Sequence, residues 1–363
     1  MREYDTPIFT EEERAHRRAQ RMALRKKKKW ARRRRIMRRL LPFIAVIAAL
    51  ALIIVTLGDK QPARPEENLE LEQPTFSVDD PTRLPEMEAP YEFSLFADAN
   101  TVYLGEDLPS KHAVVIDLQT GAILAEKDSD TVISPASMTK ILTLLVAAEH
   151  VADRLDETYT MTIDISDYCY VNDCSVVGLE PNEVVPVREL LYGTILPSGA
   201  DAAVCLANFV AGSHEAFVEM MNQKVEELGL SETAHFTNCV GLYDPQNICT
   251  VKDMALILKA AMENELCREV LNARTYETLP TEQHPNGQIL SNLFLRRIED
   301  HLPEGFSAIG AKTGFVNQSG SCAASCGRDD STGNLYICVT ANAFSSWRAI
   351  YDHVDLYSKF CAK

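Results

Sequence analysis

The sequence is organised around one run of residues, Ile133-Ser134-Pro135-Ala136-Ser137-Met138-Thr139-Lys140. This run leads into apolar residues that recur with helical spacing through Val146, so we predict that Ser137 lies in the first turn of a buried helix. Lys140 follows three residues later and projects from the same helix face. A lysine can take the proton of a serine hydroxyl only when burial and nearby cations favour its neutral form. Taken alone, such a pair is more often a helix-capping serine beside an unrelated lysine.

Two later segments change that interpretation. A loop between two helical runs reads Leu196-Pro197-Ser198-Gly199-Ala200, and a short apolar segment ends in Lys312-Thr313-Gly314. The order S-x-x-K, serine loop and K-T-G is the motif set of penicillin-binding proteins and β-lactamases. With these motifs the chain resembles the serine-type D-alanyl-D-alanine carboxypeptidases, which are low-molecular-mass penicillin-binding proteins. The resemblance covers residues 92–363, and we expect this segment to be the catalytic domain.

The order of the predicted elements agrees with the fold that this resemblance implies. Strand patterns at both ends of the domain indicate one antiparallel sheet, at residues 113–118, 122–127, 307–313, 321–326 and 335–341. Helical patterns lie mainly between them, at residues 186–196, 201–211, 213–228, 252–262 and 266–273, with a last helix at 345–360. Residues 159–165 and 176–185 read as short irregular strands. We therefore predict an α+β fold in which an all-helical lobe is inserted into the sheet domain.

The resemblance also implies a reaction and a role for each motif residue. Ser137 would attack the penultimate D-alanine of a peptidoglycan stem peptide that ends in D-Ala-D-Ala, with Lys140 as its base. Ser198 would relay a proton to the leaving amine. Lys312 and Thr313 would bind the terminal carboxylate, and the charge of Lys312 would favour neutral Lys140. No cofactor is implied, and β-lactam antibiotics would bind Ser137 covalently.

The remaining site residues implied by the resemblance surround the K-T-G segment and the serine loop. Gly314 and Phe315 follow Thr313, and the backbone N–H groups of Ser137 and Phe315 would stabilise the oxyanion. The family loop is usually Ser-x-Asn, whereas Ala200 stands at the asparagine position here. If Asp201 begins the next helix, its carboxylate points elsewhere and does not replace the missing amide. Water or another side chain then fills the gap, or turnover is altered.

Three other functions compete with this interpretation. A serine β-lactamase shares the motifs, but no E-x-x-L-N segment stands between Ala200 and Lys312 to activate a deacylating water. A catalytically impaired peptidoglycan-binding homologue is supported only by Ala200. A cysteine protease would need a Cys/His signature, which the ten cysteines do not provide.

The N-terminal residues predict a membrane anchor. Residues 1–39 contain 16 Lys and Arg against 5 Asp and Glu, a net charge of +11, which leaves −27 for the rest of a chain whose net charge is −16. Residues 40–58 follow without a charge and are long enough for a transmembrane helix, so the positive-inside rule keeps the basic tail in the cytoplasm. Residues 59–91, rich in proline and acids, would be an extended linker. Cleavage as a signal peptide competes with the anchor.

Neither nucleic acid nor a metal ion is expected as a partner of this chain. Charge before a membrane span explains the tail better than nucleic-acid binding does. All ten cysteines follow the predicted span, and an even number in an exported domain allows disulfides. The closest candidates are Cys169 with Cys174 and Cys239 with Cys249, while Cys205 reads as a small buried residue. No histidine accompanies the cysteines at zinc-ligand spacing, so we expect no metal.

Overall fold

The structure, a computed structural model, describes residues 93–362. A six-stranded sheet forms the centre of this part of the chain. Its strands are β1 (Val102–Tyr103), β2 (His112–Asp117), β3 (Ile123–Lys127), β8 (Phe306–Val316), β9 (Gly320–Asp329) and β10 (Leu335–Ala343). Their order is β1-β3-β2-β10-β9-β8, and every neighbouring pair is antiparallel except β1 with β3. The first and last thirds of the domain therefore meet in the centre of one sheet, where β2 pairs with β10.

Helices occupy most of the chain between β3 and β8. They are α1 (Thr139–Val151), α2 (Ile163–Val171), α3 (Val187–Ile195), α4 (Ala200–Ala211), α5 (His214–Glu227), α6 (Val251–Glu263), α7 (Glu265–Asn272) and α8 (Leu295–Ile298). A last helix, α9 (Ser346–Phe360), follows β10. Two small antiparallel sheets accompany the helices, one formed by β4 (Thr158–Thr160) with β5 (Val184–Pro186) and one by β6 (Thr275–Glu277) with β7 (Ile289–Ser291).

Alternate side chains of the central strands point to opposite faces of the sheet, and both faces carry buried apolar residues. On β2, Val114 and Ile116 pack with the helical lobe, whereas Ala113 and Val115 pack against α9. All four are buried, as are the residues paired with them on β10. The sheet is thus covered on one face by the lobe and on the other by the last helix, which confirms the predicted α+β architecture.

Two of the predicted strands differ from the structure. Residues 159–165 were expected as a strand, but only Thr158–Thr160 is extended, and Ile163–Val171 forms helix α2. The Thr162 side chain accepts a hydrogen bond from the Ile165 backbone N–H and so caps the new helix. Of the expected strand at 176–185, only Val184–Pro186 pairs in a sheet. The isoleucines and tyrosines of α2 favour strands in isolation, and the cap with the packing against α4 overrides that preference.

The cysteine pairs proposed from spacing are not disulfides in the structure. All ten cysteines, which lie within residues 93–362, are free thiols. The Cys174 backbone N–H donates to the Cys169 carbonyl at 2.9 Å, and their thiols are hydrogen-bonded. Cys239 and Cys249 are both fully buried in the main core, and Cys205 is a buried core residue, as predicted. Within the same residues no group of His, Cys, Asp and Glu side chains is arranged to hold a metal ion.

The predicted tail (1–39), transmembrane helix (40–58) and linker (59–91) lie outside the described residues. None of the helices between residues 93 and 362 is long and apolar enough to span a bilayer.

Candidate active site

A cavity of about 710 Å³ opens where strand β8 faces the start of α1 and the loop before α4. Seven of the eight residues singled out in the sequence line it: Ser137, Lys140, Ser198, Ala200, Thr313, Gly314 and Phe315. The eighth, Lys312, is buried beside the cavity and hydrogen-bonded to Ser198. The fold therefore brings together three motifs that are separated by up to 177 residues.

The first motif forms a serine–lysine pair. Ser137 was predicted to lie in the first turn of the helix. In the structure it lies in a single 3₁₀ turn, Ala136–Met138, that leads directly into α1. The turn still places the two side chains on one face, and Lys140 Nζ lies 3.1 Å from Ser137 Oγ. Ser137 is partly exposed to the cavity, whereas only 2% of Lys140 is exposed. This geometry gives the hydroxyl a proton acceptor at hydrogen-bonding distance.

Burial makes Lys140 a better base than an ordinary lysine. Loss of solvation lowers the pKa of Lys140 from 10.5 to about 8, against an opposing effect of nearby thiols, chiefly that of Cys239. Both burial and the charge of Lys312 were expected to favour the neutral amine, and burial is the dominant cause. A neutral amine is thus accessible near physiological pH, where an exposed lysine would be almost fully protonated.

A carbonyl group that the sequence analysis missed holds the Lys140 amine. Lys140 Nζ donates to the Val240 carbonyl at 2.6 Å. That carbonyl lies in a tight turn, where Asn238 Oδ1 accepts the backbone N–H groups of Val240, Gly241 and Leu242. Asparagine is common in such turns because its side chain bonds the backbone that follows. The Asn238–Gly241 spacing was the available signal for this element.

The second and third motifs form another hydroxyl–amine pair. Lys312 Nζ donates to Ser198 Oγ and to the Thr313 carbonyl, each at 2.8 Å. Ser198 has a φ of +63°, a left-handed conformation that is uncommon for serine and that commonly marks functional sites. Burial, and then the charge of Lys140, holds the pKa of Lys312 well below its ordinary value. Two serine–lysine pairs therefore share one site.

Two glycines allow strand β8 and the Asn238 turn to lie close to the 3₁₀ turn that carries Ser137. A Cβ atom on Gly314 would lie 3.0 Å from the Ser137 backbone nitrogen and 3.1 Å from that of Met138. A Cβ atom on Gly241, which has a φ of +79°, would lie 1.9 Å from the Ala136 carbonyl oxygen. The close approach at Gly314 puts the Ser137 N–H beside the peptide that links Gly314 to Phe315, where the oxyanion donors are expected.

The serine loop departs from the family pattern in the way the sequence suggested. Ala200 is buried at the cavity wall, and its backbone N–H donates to the Ser175 carbonyl at 2.8 Å. Asp201 points away from the cavity: its carboxylate accepts the backbone N–H groups of Val177, Gly178 and Leu179 at 2.8–3.1 Å. Asp201 therefore organises the neighbouring loop and does not replace the absent amide.

Several other cavity residues were not predicted to belong to the site. The opposite rim carries Leu293, Arg297 and Ser346, which come from the segment before β8 and from the start of α9. Cys174 also faces the cavity, and a hydrogen bond from the Cys169 thiol, with the nearby Lys140 charge, lowers the pKa of Cys174. These positions are set by long-range packing and belong to no local motif.

Comparison with known proteins agrees with this geometry. Residues 98–345 match the sequence profile of the D-alanyl-D-alanine carboxypeptidase family. The chain belongs to the D-alanyl-D-alanine carboxypeptidase family. It is 34% identical over 213 residues to a D-alanyl-D-alanine carboxypeptidase of Bacillus subtilis, a match that covers 59% of this chain and 52% of the relative. A homologue in Mycobacterium tuberculosis is 34% identical over 230 residues, which are 61% of this chain and 73% of the homologue.

Solved structures of this family have the same fold. The S216A mutant of the Streptomyces K15 DD-transpeptidase superposes with a TM-score of 0.63 at 28% identity, covering 69% of this chain and 97% of that one. A D-alanyl-D-alanine carboxypeptidase of Mycobacterium tuberculosis gives a TM-score of 0.62 at 26% identity, with 73% and 96% covered. The chain matches about half the length of some curated relatives, 52% of the Bacillus protein and 45% of an Escherichia coli D-alanyl-D-alanine carboxypeptidase.

Proposed function

We propose that this protein removes the terminal D-alanine from peptidoglycan stem peptides that end in D-Ala-D-Ala, through an ester on Ser137. The observation that carries the proposal is the 3.1 Å contact between Lys140 Nζ and Ser137 Oγ inside a cavity shared with the Ser198–Lys312 pair. Family membership supports the same reaction class.

In the proposed mechanism, neutral Lys140 takes the proton of Ser137 while Oγ bonds to the carbonyl carbon of the penultimate D-alanine. The oxyanion is stabilised by the backbone N–H groups of Ser137 and Phe315, and losing one such donor costs about 3 kcal/mol of barrier. The C–N bond then breaks, and a proton reaches the leaving amine by way of Ser198. Water hydrolyses the resulting ester, which releases the shortened peptide and restores the hydroxyl.

β-Lactams should acylate the same oxygen, because their strained amide occupies the position of the scissile bond. The chain contains no E-x-x-L-N segment between Ala200 and Lys312, so we expect slow deacylation and a long-lived adduct. This separates the proposal from its nearest rival, a serine β-lactamase, which would hydrolyse penicillin rapidly.

The deciding experiment measures D-alanine release from a peptide ending in D-Ala-D-Ala, with the full-length protein and with Ser137→Ala. We expect release by the wild type only, and a penicillin adduct that mass spectrometry locates on Ser137. Equal release by both proteins would end the proposal of a Ser137 nucleophile. A penicillin adduct without any release would instead indicate a binding homologue whose turnover is impaired at Ala200.

We further propose that residues 40–58 anchor the chain in the cell membrane as a single span, with residues 1–39 in the cytoplasm and the catalytic domain outside. The uncharged run and the basic residues before it support this topology. In intact cells, added protease should digest the catalytic domain and spare an epitope placed in the tail. Recovery of a soluble domain that lacks the first 58 residues would show signal cleavage instead.

A further inference from the structure

One thiol lies on the wall of the active-site cavity and has no part in the proposed reaction. Cys174 lines the cavity together with Ser137 and Lys140, and its side chain is partly exposed. The other nine cysteines, all within residues 93–362, are buried and do not line this cavity. Cys174 is therefore the cysteine that a reagent entering the cavity meets first.

The surroundings of Cys174 also favour its reactive, deprotonated form. The Cys169 thiol donates a hydrogen bond to Cys174 Sγ, and this bond, with the charge of Lys140, lowers the pKa of Cys174 against the opposing effects of burial and nearby carboxylates. The same bond raises the pKa of Cys169. Burial raises the pKa of the remaining thiols, which are Cys205, Cys239, Cys249, Cys267, Cys322, Cys326, Cys338 and Cys361. Because a thiolate is the nucleophile in exchange with disulfides, Cys174 should react before all the others.

A turn at the end of α2 holds Cys169 beside Cys174. The Cys174 backbone N–H donates to the Cys169 carbonyl at 2.9 Å, and Asp173 has a left-handed φ of +50° that folds the chain back. Asn172 Nδ2 donates to the Tyr168 carbonyl at 2.9 Å and fixes the start of the same turn. Cys169 is 4% exposed and belongs to the main core. A buried thiol thus contacts the sulfur that faces the cavity.

We propose that Cys174 is a modification site for low-molecular-mass disulfides that enter the cavity, and that Cys169 is the cysteine that clears it. The Cys174 thiolate attacks one sulfur of the reagent, the S–S bond of the reagent breaks, and a thiolate leaves. The resulting adduct occupies the cavity and blocks access to Ser137. The proton of Cys169 passes to the released thiolate, and Cys169 Sγ then attacks Cys174 Sγ and expels the second thiolate. Two electrons pass from the cysteine pair to the reagent, which is reduced to two thiol molecules.

The second step reopens the cavity because it draws Cys174 Sγ toward the core. The two sulfurs are already in contact, so a disulfide forms between them with a small movement. The residues that follow are held in place from α4: the Ser175 carbonyl accepts the Ala200 N–H at 2.8 Å, and the Asp201 carboxylate accepts the N–H groups of residues 177–179. We therefore expect the internal disulfide to leave the catalytic loop unchanged.

The test treats reduced full-length protein with oxidised glutathione. It follows the masses of the cysteine peptides after alkylation and the rate of acylation by benzylpenicillin. In the wild type we expect a glutathione adduct on Cys174 that decays to a Cys169–Cys174 disulfide, while the acylation rate falls and then recovers to within twofold of its initial value. In Cys169→Ala the adduct should persist, and the rate should stay at least tenfold lower until dithiothreitol removes the adduct.

The matched control is Cys174→Ser, which should gain no adduct and should keep the acylation rate that it had before treatment. Cys169→Ser is a second variant without the clearing thiol and should behave as Cys169→Ala does. Each variant is compared with its own rate before treatment, so that an effect on folding is not mistaken for an effect on reactivity.

Three results would each overturn the proposal: a first adduct on a cysteine other than Cys174, a lasting adduct in the wild type, or an adduct in Cys169→Ala that leaves the rate unchanged. The peptide masses test the cysteine pair independently of Ser137, whereas the acylation rate rests on the proposed function. The expected masses without any acylation by benzylpenicillin would support the cysteine pair and contradict the proposed Ser137 reaction alone.

Discussion

In the proposed mechanism Lys140 is the base, so its ionisation should set the pH dependence of acylation. Because burial lowers the pKa of Lys140 to about 8, the amine holds its proton below that pH and cannot accept another from Ser137. We expect the second-order rate of acylation by benzylpenicillin to rise about tenfold per pH unit below pH 8 and to level off above it. Stopped-flow or quenched labelling between pH 6 and pH 10 measures this profile.

A substitution of Lys140 provides the control for this profile. Lys140→Arg keeps a positive charge but cannot act as a base in this range, so it should acylate at least 100-fold more slowly at pH 8. A wild-type rate that stays constant from pH 6 to pH 9 would show that Lys140 is not the base.

Gly314 allows strand β8 to lie close to the Ala136–Met138 turn. In Gly314→Ala the new Cβ atom would lie 3.0 Å from the Ser137 backbone nitrogen, and backbone cannot yield as a flexible side chain can. We expect acylation by penicillin to slow at least tenfold, because the oxyanion donors shift. Gly105→Ala is the matched control, since nothing lies within 4 Å of its Cβ position. If both variants acylate at the wild-type rate, the close approach has no catalytic consequence.

Among the secondary-structure elements, the start of α4 is linked to the loop at residues 177–179 by hydrogen bonds to Asp201. Its carboxylate accepts four backbone N–H groups, those of Val177, Gly178, Leu179 and Ala202. Removing the acceptor in Asp201→Ala leaves buried donors unpaired, which should lower the free energy of unfolding by about 3 kcal/mol. Burial raises the pKa of Asp201, so the uncharged Asp201→Asn, which keeps one oxygen acceptor, should lose less.

Urea unfolding of these two variants tests whether the Asp201 carboxylate stabilises the loop at residues 177–179. Asp130→Ala is the surface control: Asp130 is paired with Lys252 and largely exposed, so its loss should cost less than about 1 kcal/mol. A cost for Asp201→Ala no larger than for this control would show that the loop holds its position without the carboxylate.

The elements of the sheet domain followed from the sequence more readily than those of the lobe. Five of the six sheet strands were predicted to within about three residues at each end because their apolar spacing is regular, whereas β1 was not predicted. In the lobe, α5 was predicted to within one residue, and Gly229, with a φ of +73°, lies just past its end. Helix α2 was missed because Ile163, Ile165 and Tyr168 have strand preferences. Its helical state depends on the Thr162 cap and on tertiary packing.

At the scale of the whole molecule, a buried histidine joins the last helix to the sheet. His353 on α9 is fully buried between Ser325 Oγ on β9, 2.7 Å from Nδ1, and Thr340 Oγ1 on β10, 3.1 Å from Nε2. Burial lowers the pKa of His353 from 6.5 to about 3. The folded protein therefore resists protonation where the unfolded chain accepts it, and stability present above pH 6.5 is lost as the pH falls toward 3.

The expected loss is about 1.4 kcal/mol per pH unit within that window, or about 2 kcal/mol between pH 6.5 and pH 5. Urea unfolding at the two pH values measures it. His353→Gln, which retains hydrogen-bonding groups, should show a smaller difference between them, while His150→Gln on the exposed surface of α1 should keep the wild-type difference. Equal differences in all three proteins would place the acid sensitivity elsewhere.

The sequence by its own patterns was enough to predict Ser137 and Lys140, the K-T-G segment and most of the strands and helices, because each depends on local spacing and apolar periodicity. Only the tertiary structure decided that Lys140 is buried enough to act as a base and that Val240 holds its amine. It also showed that Gly314 lies against Ser137 and that Arg297 lines the cavity. The reason is physical: burial, electrostatics and close approach arise between segments distant in the chain, and no local pattern encodes them.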